Sequence, residues 1–461
     1  MNKTLRLISD AIHGKELDFT SGSINRAILL LAIPMVLEML MESLFSIVDI
    51  YFVGQVGVDA VATVGLTESI NTLIYSMAMG LAMAATAMVS RRVGEKKKEE
   101  ASHAAVQAIL ISIFISVIIG IPAFIFAGDI LRLMGGSETV VASGSTYTRI
   151  LLGSNIVILL LFVNNAIFRG AGNANLAMKS LWIANIANII LDPLLIFGYG
   201  PFPELGVTGA AVATTLGRGL GVAYQTWLLT KGTGILSPKK SSLKFDWTII
   251  RKLVDVASTG AGQFLIASAS WVFLMRIVAN FGSETVAGYV IAIRILIFTI
   301  LPAWGIANAA STLTGQNLGA GQPERAETSV WRSAFVNMLF LLSVSIIYFI
   351  FAPSLIGFFT DDPKVIEAGI LSLRIFCAGY LFFAYGMVIS QSFNGAGDTR
   401  TPTVVNIICF WFIEIPLGYF LALTLGWGLA GVCWAAAISE SLMAITVVVI
   451  FRRGKWKEVK I

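Results

Sequence analysis

Apolar residues in this chain run in blocks of about 20 or more, separated by short polar breaks. Residues 105–127, AVQAILISIFISVIIGIPAFIFA, contain no charged residue. A helix that crosses the roughly 30 Å hydrocarbon layer of a bilayer needs about 20 such residues. The pattern predicts helices near 26–53, 58–89, 101–127, 140–166, 175–199, 206–230, 250–281, 285–315, 327–354, 364–393, 401–424 and 428–451. Twelve spans in an all-α, polytopic membrane protein is the fold class that follows.

Composition agrees: 56% of the residues are hydrophobic and 13% charged, against roughly 25% charged in soluble chains. The first 25 residues are polar and mixed in charge, without the basic, apolar and small-residue order of a cleaved signal peptide. The first span is expected to serve as an uncleaved insertion signal. Cys377, Cys409 and Cys433 all fall in apolar runs, with neither metal-ligand spacing nor a disulfide framework. No metal site is expected.

Net charge is +5, and its distribution explains it. Of the 32 Lys and Arg residues, 25 lie in or beside one alternating set of connections and the termini; Arg132 and Lys364 lie on the other side, and five lie within spans. Basic residues concentrate on the cytoplasmic face of membrane proteins. Both termini are therefore expected in the cytoplasm, in a cell membrane. Topology accounts for the basic excess, and no nucleic-acid partner is implied. The runs RRVGEKKKEE and FRRGKWKEVK read as solvated stop signals.

The sequence repeats. At an offset of 225, VGEKKKEEA (93–101) falls on LGAGQPERA (318–326), Arg149 on Arg374, and FRGAGN (168–173) on FNGAGD (393–398). After a slip to 222, GVTGAAVA (206–213) falls on GLAGVCWA (428–435), Asp192 on Glu414, and Arg218 on Glu440. The organisation expected is an N-terminal segment 1–25, an N-lobe 26–230, a polar linker 231–249, a C-lobe 250–451 and a tail 452–461. Six spans per half relate the halves by a pseudo-twofold axis along the membrane normal, as in alternating-access transporters. A duplicated receptor or scaffold is the plainer alternative. The glycines of the two GAG turns are expected to shape the turns and to hold no ligand.

These features together resemble the multidrug and toxic compound extrusion (MATE) family. The resemblance covers essentially the whole chain from Pro34. It is carried by the two six-span halves, the spacing of Pro34 and Asp49 in a span ending VDIYFVG, the FRGAGN and FNGAGD twins, and NIANIILDP (185–193). It implies cation-coupled export of diverse cationic or amphipathic compounds by rocking of two lobes. NorM-like members place acidic cation ligands in spans 7 and 10; here 260–281 and 373–393 contain no Asp or Glu but carry Arg276 and Arg374. The resemblance is therefore to the DinF-like branch, with coupling in the N-lobe.

The candidate chemistry follows from helical spacing. Glu38, Glu42, Phe45, Ser46 and Asp49 share one stripe of span 1. Carboxylates are costly against lipid, so the stripe should face a cleft or watered cavity. Asn185, Asn188 and Asp192 form a matching face on span 5. Two neighbouring carboxylates titrate as a pair and can share a proton. The resemblance makes Asp49 the proton acceptor, with Asp192, Asn188 and Asn185 as its network. Oxygens of Asp49, Asn188 and Asp192 also suit Na+, the second candidate. Pro34 removes a backbone hydrogen bond and can kink span 1. Glu38, Glu42, Phe45, Ser46, Glu68, Asn165, Met35 and Met39 are the cavity candidates, although a methionine stripe is more often plain packing. Arg149 and Arg374 recur and read as structural; Arg276, Arg294 and Glu414 have no assigned role.

No GxxxxGK[ST] or HExxH motif occurs, so neither an ATP motor nor a zinc enzyme is indicated. The function expected is secondary export of cationic or amphipathic drugs against H+ or Na+, by a monomer with no cofactor beyond the coupling ion. A flippase for lipids or lipid-linked oligosaccharides is the alternative; such proteins tend to have more spans and a more basic cavity.

Overall fold

The computed structural model describes residues 3–14, 18–232, 236–238 and 240–461. Parts of the expected N-terminal segment (1–2, 15–17) and linker (233–235, 239) lie outside the described residues. Helices make up nearly all of the rest, and no strand occurs among the described residues. A short amphipathic helix α1 (Lys3–His13) precedes the spans. The first half then holds α2 (Ile24–Val56), α3 (Val58–Gly94), α4 (Lys98–Ile125), α5 (Ala127–Leu133), α6 (Glu138–Gly153), α7 (Asn155–Gly170), α8 (Ala174–Ile196) and α9 (Val207–Lys231). The second holds α10 (Trp247–Val278), α11 (Ser283–Gly319), α12 (Pro323–Gly357) and α13 (Pro363–Ala396), then α14 (Arg400–Thr424) and α15 (Gly428–Arg452).

Eleven of these spans are long and apolar enough to cross a membrane. The twelfth, α9, is 25 residues long but is diluted by glycines, threonines and Arg218. The protein is an all-α membrane protein of twelve spans in two six-helix halves. Two local departures have identifiable causes. The fourth span breaks at Ser154 into α6 and α7, where a Gly153-Ser154 pair weakens the helix and Asn155 Nδ2 donates to the Leu152 carbonyl at 2.7 Å. In α14, residues Ile407–Glu414 and Phe420–Thr424 take π-helical turns, each of which accommodates extra residues in a helix.

Those turns correct the repeat register. A Cβ on Gly209 would meet the Leu195 carbonyl, and one on Gly431 would meet Leu421. Within this helix the offset is therefore 226, and Glu414 corresponds to Asn188 rather than to Asp192. Elsewhere the repeat is reproduced closely. Gly172 and Gly397, in the two GAG turns, stand at φ 88° and 90°, a left-handed backbone that glycine adopts without strain. Arg149 Nε donates to the Phe124 carbonyl at 3.2 Å, and Arg374 Nε to the Phe349 carbonyl at 3.2 Å. Each guanidinium also lies over the ring of the same phenylalanine, so the two arginines lock equivalent helix pairs.

The chain forms two compact units. One consists of Leu37–Ala261 with α1; the other consists of Asp18–Val36 and Gly262–Ile461. The first half's leading helix, α2, thus begins in the second unit, and α10 begins in the first. The crossings, at 36/37 and 261/262, are equivalent in the repeat. Glycines hold both helix starts. A Cβ on Gly305 would fall 2.8 Å from the Met35 carbonyl, and one on Gly80, its repeat equivalent, 2.2 Å from the Ala257 carbonyl. Small residues permit such backbone approach where lipid leaves little hydrophobic drive between helices.

In the second unit the tail is docked rather than solvated. Trp456 is buried and stacks on Phe451 at 4.5 Å, and Lys457 pairs with Glu324 and Glu327 at 3.0 and 2.7 Å. Arg325 donates to the carbonyls of Phe19, Ser21 and Gly22, which fixes the approach to α2.

Candidate functional site

The stripe on α2 meets α3, α7, α8 and α9 inside the first unit. Its inner node is Glu38, 1% exposed. Arg169 Nη1 donates to Glu38 Oε1 at 2.7 Å and Asn165 Nδ2 to the same oxygen at 3.0 Å. Gln225 Nε2 donates to Asn165 Oδ1 at 2.7 Å, and Asn164 Nδ2 donates to Gln225 Oε1 at 3.1 Å. The chain of bonds runs from α2 through α7 to α9. Asn165, expected as a cavity residue, is a link in this network, and Glu38 is an ion pair. Buried charge is tolerated when it is paired and hydrogen-bonded in this way.

One turn along, Asn185 Nδ2 donates to Glu42 Oε2 at 2.9 Å, and Arg218 Nη2 stands 3.7 Å from Glu42 Oε1. Arg218 is buried, with its guanidinium over the rings of Phe45 at 5.6 Å and Tyr75 at 5.7 Å. It also lies within electrostatic range of Glu68 and Asp49. Glu68 is exposed and accepts from Asn71 Nδ2 at 3.4 Å.

The third node holds the two aspartates. Asp192 is fully buried in α8 and close enough to Asp49 for the two charges to repel. Asn188 Nδ2 is shared between Asp192 Oδ1 at 3.4 Å and Thr214 Oγ1 at 3.1 Å. Asp192 Oδ2 and Asn188 Oδ1 are buried without a partner. Tyr147, buried in α6, lies within reach of Asp49, Glu68 and Asp192.

The structure thus brings Asp49, Asp192 and Asn188 together. Asn185 is held on Glu42, a separate node. Ser46 is exposed, Met39 half-buried, and Met35 fully buried beneath Gly305 in the second unit, with no exposed surface. Pro34 lies inside an unbroken α2. Sequence reasoning missed Arg169 as a partner, together with Thr214, Tyr75 and Tyr147. Arg169 sits four residues beyond Asn165, on the same helical face, which is the signal that would have found it. Arg149, read as structural, is committed to Phe124 and takes no part in the site.

No group of three or more His, Cys, Asp or Glu side chains able to hold a metal occurs among the described residues. The node of Asp49, Asp192 and Asn188 is rich in oxygen acceptors and poor in donors. A proton or an oxygen-ligated monovalent cation fits that donor set.

Comparison with known proteins adds four findings. The MatE family profile matches residues 34–194 and 261–420, one match in each half. A probable multidrug resistance protein, NorM, of Thermotoga maritima is 28% identical over 447 residues, covering 94% of either chain. The FAD transporter of Shewanella oneidensis is 25% identical over 94% of this chain and 95% of its own. A crystal structure of a MATE protein in the straight conformation superposes with a TM-score of 0.89 at 26% identity, over 100% of both chains.

Proposed function

Since the chain belongs to the MatE family, the multidrug and toxic compound extrusion transporters, we propose that it exports cationic or amphipathic drugs in exchange for an inward-moving cation. The protein is a multi-pass membrane transporter and not an enzyme. The observation that carries the coupling reading is the pair of buried, unpartnered acceptors, Asp192 Oδ2 and Asn188 Oδ1, beside Asp49.

Two like charges in a low-dielectric site repel strongly. A proton bound by either aspartate, or Na+ shared among Asp49, Asp192 and Asn188, removes that repulsion and gives the orphan acceptors a partner. Proton is the first candidate and Na+ the second. Asp49 rides on α2, which also carries Glu38 and Glu42 and contains Pro34. Proline leaves one carbonyl of the preceding turn without its helical donor. Relief of repulsion at Asp49 is thereby coupled to bending of α2, and bending to the alternation of access. Glu38 and Glu42 are answered by Arg169 and Arg218, so the attraction for a cationic drug rests on Asp49, Glu68 and Asp192. Those acids also weigh against a flippase, and against an anion such as the FAD carried by the Shewanella relative. The reading keeps the DinF-like placement of coupling, a monomer, and both termini in the cytoplasm.

The test is export of a fluorescent cation from proteoliposomes, with a pH gradient and a sodium gradient imposed separately. The active gradient names the ion, and Asp49→Asn and Asp192→Asn abolish the response to it. Parent-like transport by both variants would overturn the coupling site.

A further inference from the structure

The second unit has its own buried acids. Glu440 in α15 is the repeat counterpart of Arg218, and Glu414 in α14 that of Asn188. Glu414 is 2% exposed and ends a π-helical turn. Ser270 of α10 lies beside it, its own hydroxyl donating to the Ala267 carbonyl at 2.9 Å, and Glu440 lies within electrostatic range. Glu414 Oε2 and Glu440 Oε2 are both buried without a partner. Neither acid has an ion pair among the described residues, in contrast to Glu38 and Glu42.

A separate group points into the same place. Tyr289 of α11 is completely buried, its hydroxyl has no partner, and it lies within range of Glu414 and of Cys433 in α15. Cys409, one turn before Glu414, lies within range of both acids. The groups facing the pair are therefore Ser270, Tyr289 and Cys409, two hydroxyls and a thiol. The indole of Trp411, bonded to the Ile266 carbonyl at 3.1 Å, pins α14 to α10 beside them.

We propose that Glu414 and Glu440 form a second monovalent-cation site, in which a proton or Na+ occupies the place that Arg218 fills in the first unit. A carboxylate pair with a buried, unpartnered oxygen on each member and no protein cation must take up a counter-ion or a proton. Ser270 and Tyr289 add hydroxyl oxygens to either form. The acids stand on spans 11 and 12, so this is not the span-7 and span-10 arrangement of NorM-like members. The site is independent of the Asp49–Asp192 reading.

The experiment uses the full-length protein in nanodiscs. Infrared titration reads protonated carboxyl groups, and binding of radioactive Na+ at neutral pH, with choline as the control ion, reads sodium. The site supplies roughly one protonated carboxyl or one sodium per chain, and Glu414→Gln and Glu440→Gln each remove that signal. Loss of infrared signal alone identifies a proton site; loss of sodium binding identifies a sodium site. Asp49→Asn and Asp192→Asn leave it in place, which separates failure here from failure of the first site. A signal that persists in both glutamine variants, or a parent protein that shows neither signal beyond those removed by Asp49→Asn and Asp192→Asn, overturns the proposal. Should Glu414→Gln fail to fold, Glu440→Gln, at the half-buried position, decides.

Discussion

Glu38 illustrates what a single buried charge demands. Its carboxylate takes two donors through one oxygen, from Arg169 and Asn165. Removing one member of a buried pair strands the other, at about 3–5 kcal/mol, whereas replacing both by apolar groups is often close to neutral. Glu38→Ala should therefore lower thermal stability in detergent sharply, and Glu38→Met with Arg169→Met should restore most of the loss. A double variant as unstable as the sum of its parts would mean that the pair is not a unit. The acids themselves were legible in the sequence, because an ionisable residue in an apolar run stands out. Their partners were harder to find. Arg169 lies beside a turn and reads as a topology charge, and Arg218 is separated from Glu42 by 176 positions. Nothing local announces such a pair. Helical spacing placed Asn185 with Asp192, but in the folded chain Asn185 donates to Glu42.

At the scale of the element, length and apolar content located every span, while breaks and bulges went unseen. The division at Ser154 and the π-turns of α14 cost no apolar residues, so hydropathy does not register them. The repeat served better. It pointed to Arg149 and Arg374 as structural, and both hold a phenylalanine carbonyl and its ring. Gly80 and Gly305 were not singled out, because a glycine in a span is common and only the facing backbone makes it necessary. Gly80→Val and Gly305→Val should each destabilise by at least the roughly 1–3 kcal/mol of ordinary overpacking, since backbone cannot move aside as a side chain does. Gly65→Ala, in open space on α3, is the control and should be neutral or slightly stabilising. Thermal unfolding of the three variants checks the contrast.

For the molecule as a whole, composition gave the class and the distribution of Lys and Arg gave an orientation. A single cysteine at Lys96, in the α3–α4 turn, should be labelled by an impermeant maleimide only from the cytoplasmic side, and one at Ser137 only from outside. The cysteines at 377, 409 and 433 are buried and give little background. Labelling in the opposite sense would invert the topology. The repeat announced two halves, but the exchange of their helix starts was not legible, because hydropathy marks where helices lie and not which bundle each end of a helix joins.

The crossing of α2 and α10 bears on how the halves depend on each other. Each half hands the opening turns of its leading helix to the other's bundle, so neither is complete when made alone. Severed in the connection between α9 and α10 and co-expressed, the two fragments should find one another and copurify through an affinity tag on either one. Expressed singly, each should be degraded. A duplicated chain of this kind is an obligate couple, joined by the exchange of helix ends.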